Sequence, residues 1–264
     1  MSEYTLHDWF GYDVPYAERY RMIRRAGFDG VMMWWGDDLP RDKRALPSLA
    51  RAAGLTVDNV HAPYDNCNSL WHSGPDGDAY TDALCGCADD CAALGIPVMV
   101  VHLSSGFEPP APGGIGLARL TRLTEYAGAR GVRVALENLR HTAPLRFALD
   151  NLPHDCVGFC YDAGHEHCRT PGENLLNDYG SWLFAVHLHD NDGMVNRDGP
   201  DDQHRLPFDG TADWPRIAAQ LAASGYAGPV SLEVVNRGYE TTAPEDFLRL
   251  AFERAQRIAA MLGR

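Results

Sequence analysis

Short apolar runs, each followed by a segment of helical period, recur eight times along the chain, and that alternation leaves few folds open. The runs are Thr5 to Trp9, Gly30 to Trp35, Thr56 to His61, Val98 to His102, Val132 to Glu137, Val157 to Asp162, Phe184 to His187 and Val230 to Glu233. Helical patterns lie between them, among them Tyr16 to Ala26, Arg44 to Ala53, Asp78 to Leu94, Leu117 to Arg130, Trp214 to Ser224 and Pro244 to Leu262. Gly27, Gly54, Gly95, Gly131 and Gly225 each follow a helical pattern, where a left-handed residue turns the chain into the next strand. Strands this apolar are covered on both faces and pair in parallel, with helices outside. Eight such pairs in 264 residues, near the roughly 250 usual for one α/β barrel, predict class α/β with a single (β/α)8 TIM barrel as one domain over 1–264.

The residues that close these runs are the second constraint. His61, His102, Glu137, Asp162, His187 and Glu233 end apolar runs, and His165, Asp202 and His204 stand in turns or loops beyond them. Parallel barrel strands leave the core at their C-terminal ends and present those residues to one mouth. Metal ligation needs lone pairs from carboxylates and neutral imidazoles converging on one ion, and distant strands of a barrel supply that convergence. Asp162-x-x-His165, His187-Leu-His189-Asp190 and Asp202-Gln-His204 add local donor pairs, the last inside an irregular segment from about His189 to Thr211 at the predicted active face. This donor mixture suits a divalent metal: manganese, magnesium, cobalt or zinc. For His61, His102, His165 and His204 the competing role is hydrogen bonding around a polyol held by a single ion.

Composition excludes several alternatives. The only lysine, Lys43, lies in the charged run Arg41-Asp-Lys-Arg44 before a helix, which removes Schiff-base catalysis from the mouth. A formal net charge of −13 disfavours nucleic acid and anionic membranes as partners and favours a small uncharged or metal-chelated substrate. No apolar run approaches the roughly 18 residues of a membrane span, and Glu3 and Asp8 stand where a secretory signal would be basic and then apolar. Seven cysteines without a compact framework suit reduced thiols, so the expected location is cytoplasmic. Cys85, Cys87 and Cys91 do not read as a metal site, because a helix points 85 and 87 to different faces. Gly113-Gly-Ile-Gly116 is too short and misplaced for a nucleotide loop. A homo-oligomer is left open.

On His61-Ala-Pro-Tyr64, Glu137-Asn138, Asp162-Ala-Gly-His165, His187-Leu-His-Asp190, Asp202-Gln-His204 and Glu233, essentially the whole chain resembles the xylose-isomerase-like barrel superfamily. That superfamily joins sugar isomerases and epimerases with endonuclease IV. The resemblance implies that Glu137, Asp162, His187 and Glu233 hold one divalent ion. It further implies that Glu137 and Glu233 move a proton beside the carbonyl of a sugar, polyol or sugar phosphate through a metal-stabilised enediolate. Its alternative is an endonuclease IV-like zinc phosphodiesterase for abasic DNA. There His61 and His102 with Glu137 would hold one ion, the same four donors a second, and His165, Asp202 and His204 a third.

Around this centre, Trp9, Phe10, Trp34, Trp35 and Trp71 lie at early strand ends or following loops, where a ring could stack on a sugar or pack the core. Trp34 and Trp35 cannot both face inward on a regular strand. Trp9, Trp35, Asn66, Trp71, Asn138 and Arg237 are the candidate substrate contacts. For His189, a member of one of the local donor pairs, the alternative role is to position the loop after the seventh strand, and His7, His72, His141 and His154 are expected at the surface.

Overall fold

A computed structural model of the chain describes residues 3–36, 39, 42–195 and 201–264. Met1 and Ser2, Arg41 of the charged run, and 196–200 of the long loop lie outside the described residues. Eight strands run in sequence order around the molecule: β1 (Tyr4–His7), β2 (Gly30–Trp34), β3 (Thr56–His61), β4 (Val98–Val101), β5 (Arg133–Glu137), β6 (Val157–Asp162), β7 (Leu183–His187) and β8 (Val230–Leu232). Every neighbour pairs in parallel, including β1 with β8. The last seam closes by one bridge, in which Leu188 N donates to Ser231 O at 2.9 Å and Glu233 N to Leu188 O at 3.2 Å. The expected (β/α)8 barrel is the observed one.

Nine helices are described outside it: α1 (Tyr16–Ala26), α2 (Leu46–Ala52), α3 (Pro75–Leu94), α4 (Gly114–Gly128), α5 (Ala143–Asn151), α6 (Ala163–Arg169), α7 (Leu175–Tyr179), α8 (Trp214–Ser224) and α9 (Pro244–Met261). Pro75 opens α3 three residues before the periodic apolar pattern begins, because proline at the first turn gives up only an amide that has no helical partner. Strand β1 ends two residues short of the expected Trp9, and His102 and Glu233 lie one residue past β4 and β8. None of the described helices is long and apolar enough to cross a membrane.

Strand alternation sorts the residues into two cores. Val134 and Leu136, Phe159 and Tyr161, and Val230 and Leu232 face the helices in the large outer core. The opposite parity fills the barrel with a small plug of Val98, Val100, Ala135, Cys160 and Ala185. Glu137, Asp162 and His187 continue that inward parity at the strand ends, above the plug.

Candidate metal centre

The inward residues at the C-terminal strand ends converge. One ligand atom each from Glu137, Asp162, His187 and Glu233 lies within 4.8 Å of the others, and the same holds for His61, His102 and Glu137. A third group joins His165, His189, Asp202 and His204. Glu137 sits at the hub: its Oε2 is 3.0 Å from His102 Nε2 and 3.3 Å from His61 Nε2, and its Oε1 is 3.2 Å from His165 Nδ1 and 3.5 Å from His187 Nδ1. Glu233 Oε2 approaches His187 Nδ1 at 2.8 Å. A cavity of about 210 Å³ opens above, lined in part by His7, Trp34, Tyr64 and Glu233. A larger void of about 470 Å³ lies at the opposite end of the barrel, around Asp58, Arg133 and Tyr226, away from every donor group. Catalysis in this fold belongs to the C-terminal face, so the smaller cavity is the relevant one.

The imidazoles are prepared as ligands by what their other nitrogens touch. His61 Nδ1 meets Ala62 O at 3.0 Å, His165 Nδ1 meets Asn138 O at 3.0 Å, and His204 Nδ1 meets Glu233 O at 2.9 Å. A carbonyl only accepts, so each Nδ1 carries the hydrogen and, in the neutral ring, each Nε2 presents a lone pair. In the metal-free protein hydrogens bridge these atoms instead: His61 Nε2 is 3.1 Å from His102 Nε2, and His165 Nε2, when protonated, donates to Asp202 Oδ2 at 3.0 Å. Both ring nitrogens of His187, Nδ1 of His189 and Oδ1 of Asp202 are buried without a hydrogen-bond partner among the described residues. The close His187–Glu233 approach therefore lacks hydrogen-bond geometry. Buried donors left this way are costly, and a shared cation satisfies them, so the residues present fit a divalent metal.

Electrostatics follow the same pattern. Burial alone would raise the carboxyls, but His102 and His187 hold Glu137 well below the usual range, and His187 and His204 do the same for Glu233. Burial pushes the His204 ring down, yet the Asp202 carboxylate lifts it to about 9. His187 likewise rises well above its ordinary value against burial, through Cys160 and the carboxylates of Glu233 and Glu137.

Local structure positions these groups. Asp162 ends β6 and caps α6, accepting from His165 N at 2.6 Å, which fixes His165 one turn away on the same side. Gly164 has no room for a side chain, since a Cβ there would overlap the His189 ring. The loop carrying Asp202 and His204 is tied by an Asp190–Arg205 bridge and by the buried Asp190 carboxylate. That carboxylate accepts from the Asn191, Phe208 and Ala212 amides and, at 2.7 Å, from the Trp214 indole. His204 is held left-handed at φ 48°, a strained backbone for a residue with a side chain, in the segment that carries the third group.

Several expected contacts lie elsewhere. Trp35 shares outward parity with Val31 and Met33, and its buried ring donates to Asp90 Oδ2 at 3.0 Å; Trp34 takes the inward place on the cavity. Trp71 packs in the outer core and donates to Leu103 O at 2.6 Å. Asn66 lines a separate side cavity, and Arg237 is exposed in the turn after β8. Asn138 ties the backbone of the neighbouring strand, donating to Asp162 O at 2.8 Å and accepting from Asp162 N at 2.7 Å. Trp9, 43% exposed, borders a neighbouring cavity. Two further histidines belong to the mouth. His7 lines the cavity rather than the surface, and His189 joins the third donor group; both share inward parity, His189 two residues after His187.

The chain belongs to the family described as the xylose isomerase-like TIM barrel, which it matches over residues 20–257. Among individual proteins it is similar to the uncharacterized protein y4fM of Sinorhizobium fredii, 27% identical over 273 residues, covering 87% of this chain and 85% of that protein. Its fold is similar to D-psicose 3-epimerase from Clostridium cellulolyticum H10 in complex with D-tagatose, with a TM-score of 0.75, 17% identity and 99% of each chain covered. It is also similar to the IOLI protein with a bound zinc atom, with a TM-score of 0.77, 16% identity and 98% of each chain covered.

Proposed function

We propose that residues 1–264 form one catalytic domain that epimerises or isomerises a small sugar or polyol, free or phosphorylated, with a divalent metal held by Glu137, Asp162, His187 and Glu233. The observation that carries this reading is the convergence of those four donors beneath a cavity of about 210 Å³. The epimerase among its structural relatives and the zinc in another support the same chemistry. When bound, the ion supplies Lewis-acid stabilisation of the negative charge that develops on the substrate's carbonyl oxygen. Glu233, on the cavity wall, and Glu137, three strands away around the barrel, are placed to take a proton from the adjacent carbon and return it from the other side. Trp34 and Tyr64 wall the site with aromatic faces that limit water and can lie against a sugar ring. The cytoplasm is the proposed compartment, where the seven thiols, all unpaired here, stay reduced.

The test is exchange of the substrate-carbon proton with deuterated water, read by NMR on metal-loaded protein against ketoses, inososes and sugar phosphates. Glu137→Gln and Glu233→Gln are each expected to slow exchange by about two to four orders of magnitude. No exchange with any member of the panel would end this reading.

A second reading, phosphodiester hydrolysis at abasic DNA by three zinc ions, draws on the two further donor groups. Against it, none of the described residues lining the cavity is Lys or Arg, and the net charge is −13. Three tightly bound zinc ions with cleavage of an abasic oligonucleotide would favour it over the sugar reading.

A further inference from the structure

The mouth has a second chamber. A cavity of about 340 Å³ adjoins the one above the metal donors and shares His7 and Trp34 with it. Its remaining wall includes Asp8, Trp9, Tyr16 and Arg19. Arg19, in the first turn of α1, is only 4% exposed, yet its guanidinium makes no ion pair or hydrogen bond among the described residues, and its Nε is buried without a partner. Its central carbon lies over two rings, 5.0 Å from the centroid of Trp9 and 4.6 Å from that of Tyr16. Ring stacking holds the plane of the group but uses none of its five N–H donors.

A buried arginine is normally paired, because an unpaired one bears the full cost of desolvation. The acid nearest in the chamber, Asp8, does not fill that role. It lies beyond ion-pair distance and accepts from the Tyr20 hydroxyl at 3.0 Å. Burial pushes the Asp8 carboxyl up, against the opposing pulls of His7, the Tyr20 hydroxyl and the more distant Arg19. The donors of Arg19 therefore line a chamber that shares the His7 and Trp34 wall with the reaction site, in a fork suited to a planar or tetrahedral oxyanion.

We infer that Arg19 binds an anionic group, a carboxylate or a phosphate, at the end of the substrate remote from the metal, so that the enzyme acts on a sugar acid or sugar phosphate in preference to the neutral sugar. The preference among substrates rests on the proposed proton transfer, but the anion site itself does not. Arg19 is a binding and specificity residue and touches no reacting atom.

The experiment has two arms. In the first, metal-loaded wild type, Arg19→Gln and Arg19→Lys are compared on a neutral ketohexose, its terminal phosphate and its terminal carboxylate, by deuterium exchange. Wild type is expected to favour one anionic form at least tenfold in kcat/KM, and the form favoured identifies the group. Arg19→Gln should cut the anionic-to-neutral ratio about ten- to a hundredfold, chiefly through KM, with Arg19→Lys between the two. In the second, metal-stripped protein is titrated with inorganic phosphate, with gluconate and with neutral sorbitol, read by tryptophan fluorescence from Trp9 and Trp34. Binding of one of the two anions should weaken at least tenfold in Arg19→Gln. Equal ratios and equal anion affinities in wild type and Arg19→Gln overturn the inference, as does a wild-type preference for the neutral sugar. If nothing exchanges while Arg19-dependent anion binding persists, the proton-transfer reading fails and the anion site stands.

Discussion

Replacing Asp190 with alanine separates the fold from the third donor group. The carboxylate is fully buried and receives four donors: the Asn191 and Ala212 amides on Oδ1 at 2.9 and 3.1 Å, and the Phe208 amide and Trp214 indole on Oδ2 at 2.9 and 2.7 Å. Hydrogen bonds to a carboxylate contribute roughly 1.5–3 kcal/mol each, so complete loss of four would cost about 6–12 kcal/mol. Alanine leaves space in which water can restore some of them, which brings the expected loss to about 3–5 kcal/mol, the upper range for one substitution. Trp214→Phe, removing a single donor, should cost about 1.5–3 kcal/mol. The same bonds fix the start and end of the segment that carries Asp202 and His204, while Glu137, Asp162, His187 and Glu233 stand on the strand ends. Urea unfolding of metal-free protein measures the stability, and calorimetric titration with zinc measures how many ions bind and how tightly. The Asp190→Ala protein should lose any zinc that the His165, His189, Asp202 and His204 group holds and keep the ion at the four-strand site. A stability change below about 1 kcal/mol, or zinc binding identical to wild type, would refute the reasoning.

Further outcomes follow from the same geometry. Gly164→Ala forces the His189 ring out of place, so the third donor group should weaken at least tenfold for zinc, read by calorimetry, with the barrel's circular dichroism unchanged. For pH, His204 is raised to about 9, so in metal-free protein its stabilising charge is complete below about 6.5 and fades as pH climbs through 9. Glu137, Asp202 and Glu233 are lowered, so their contribution is present above about 4 and disappears as pH falls further into acid. Cation binding must displace the imidazole protons. Affinity should therefore rise from about pH 6.5 to 9, with proton release measurable by titrating in buffers of different ionisation enthalpy. A flat profile over that range would contradict the assignment of these rings as ligands.

Much of this site was legible along the chain, because strand period two is a local property. Once Ala135 and Cys160 are taken as inward, Glu137 and Asp162 must be inward too, two residues on, and no tertiary information is needed. The same parity would have moved the inward aromatic from Trp35 to Trp34, through Val31 and Met33, and would have drawn His7 and His189 into the mouth. Asn138 is a different case. Its place beside Glu137 suggested a substrate contact, but its amide meets the Asp162 backbone on the adjacent strand, a pairing set by register between β5 and β6.

The amino-acid order alone thus determined the barrel and the direction in which each strand-end donor points, since apolar periodicity and side-chain alternation act within a few residues. Closure of the cylinder decided the rest. Strand stagger sets the height at which side chains from 61 to 233 meet, and loop packing on Asp190 brings Asp202 and His204 over the mouth. Those contacts join residues far apart in the chain, and only a folded backbone brings them within the few ångströms over which ligands and charges act.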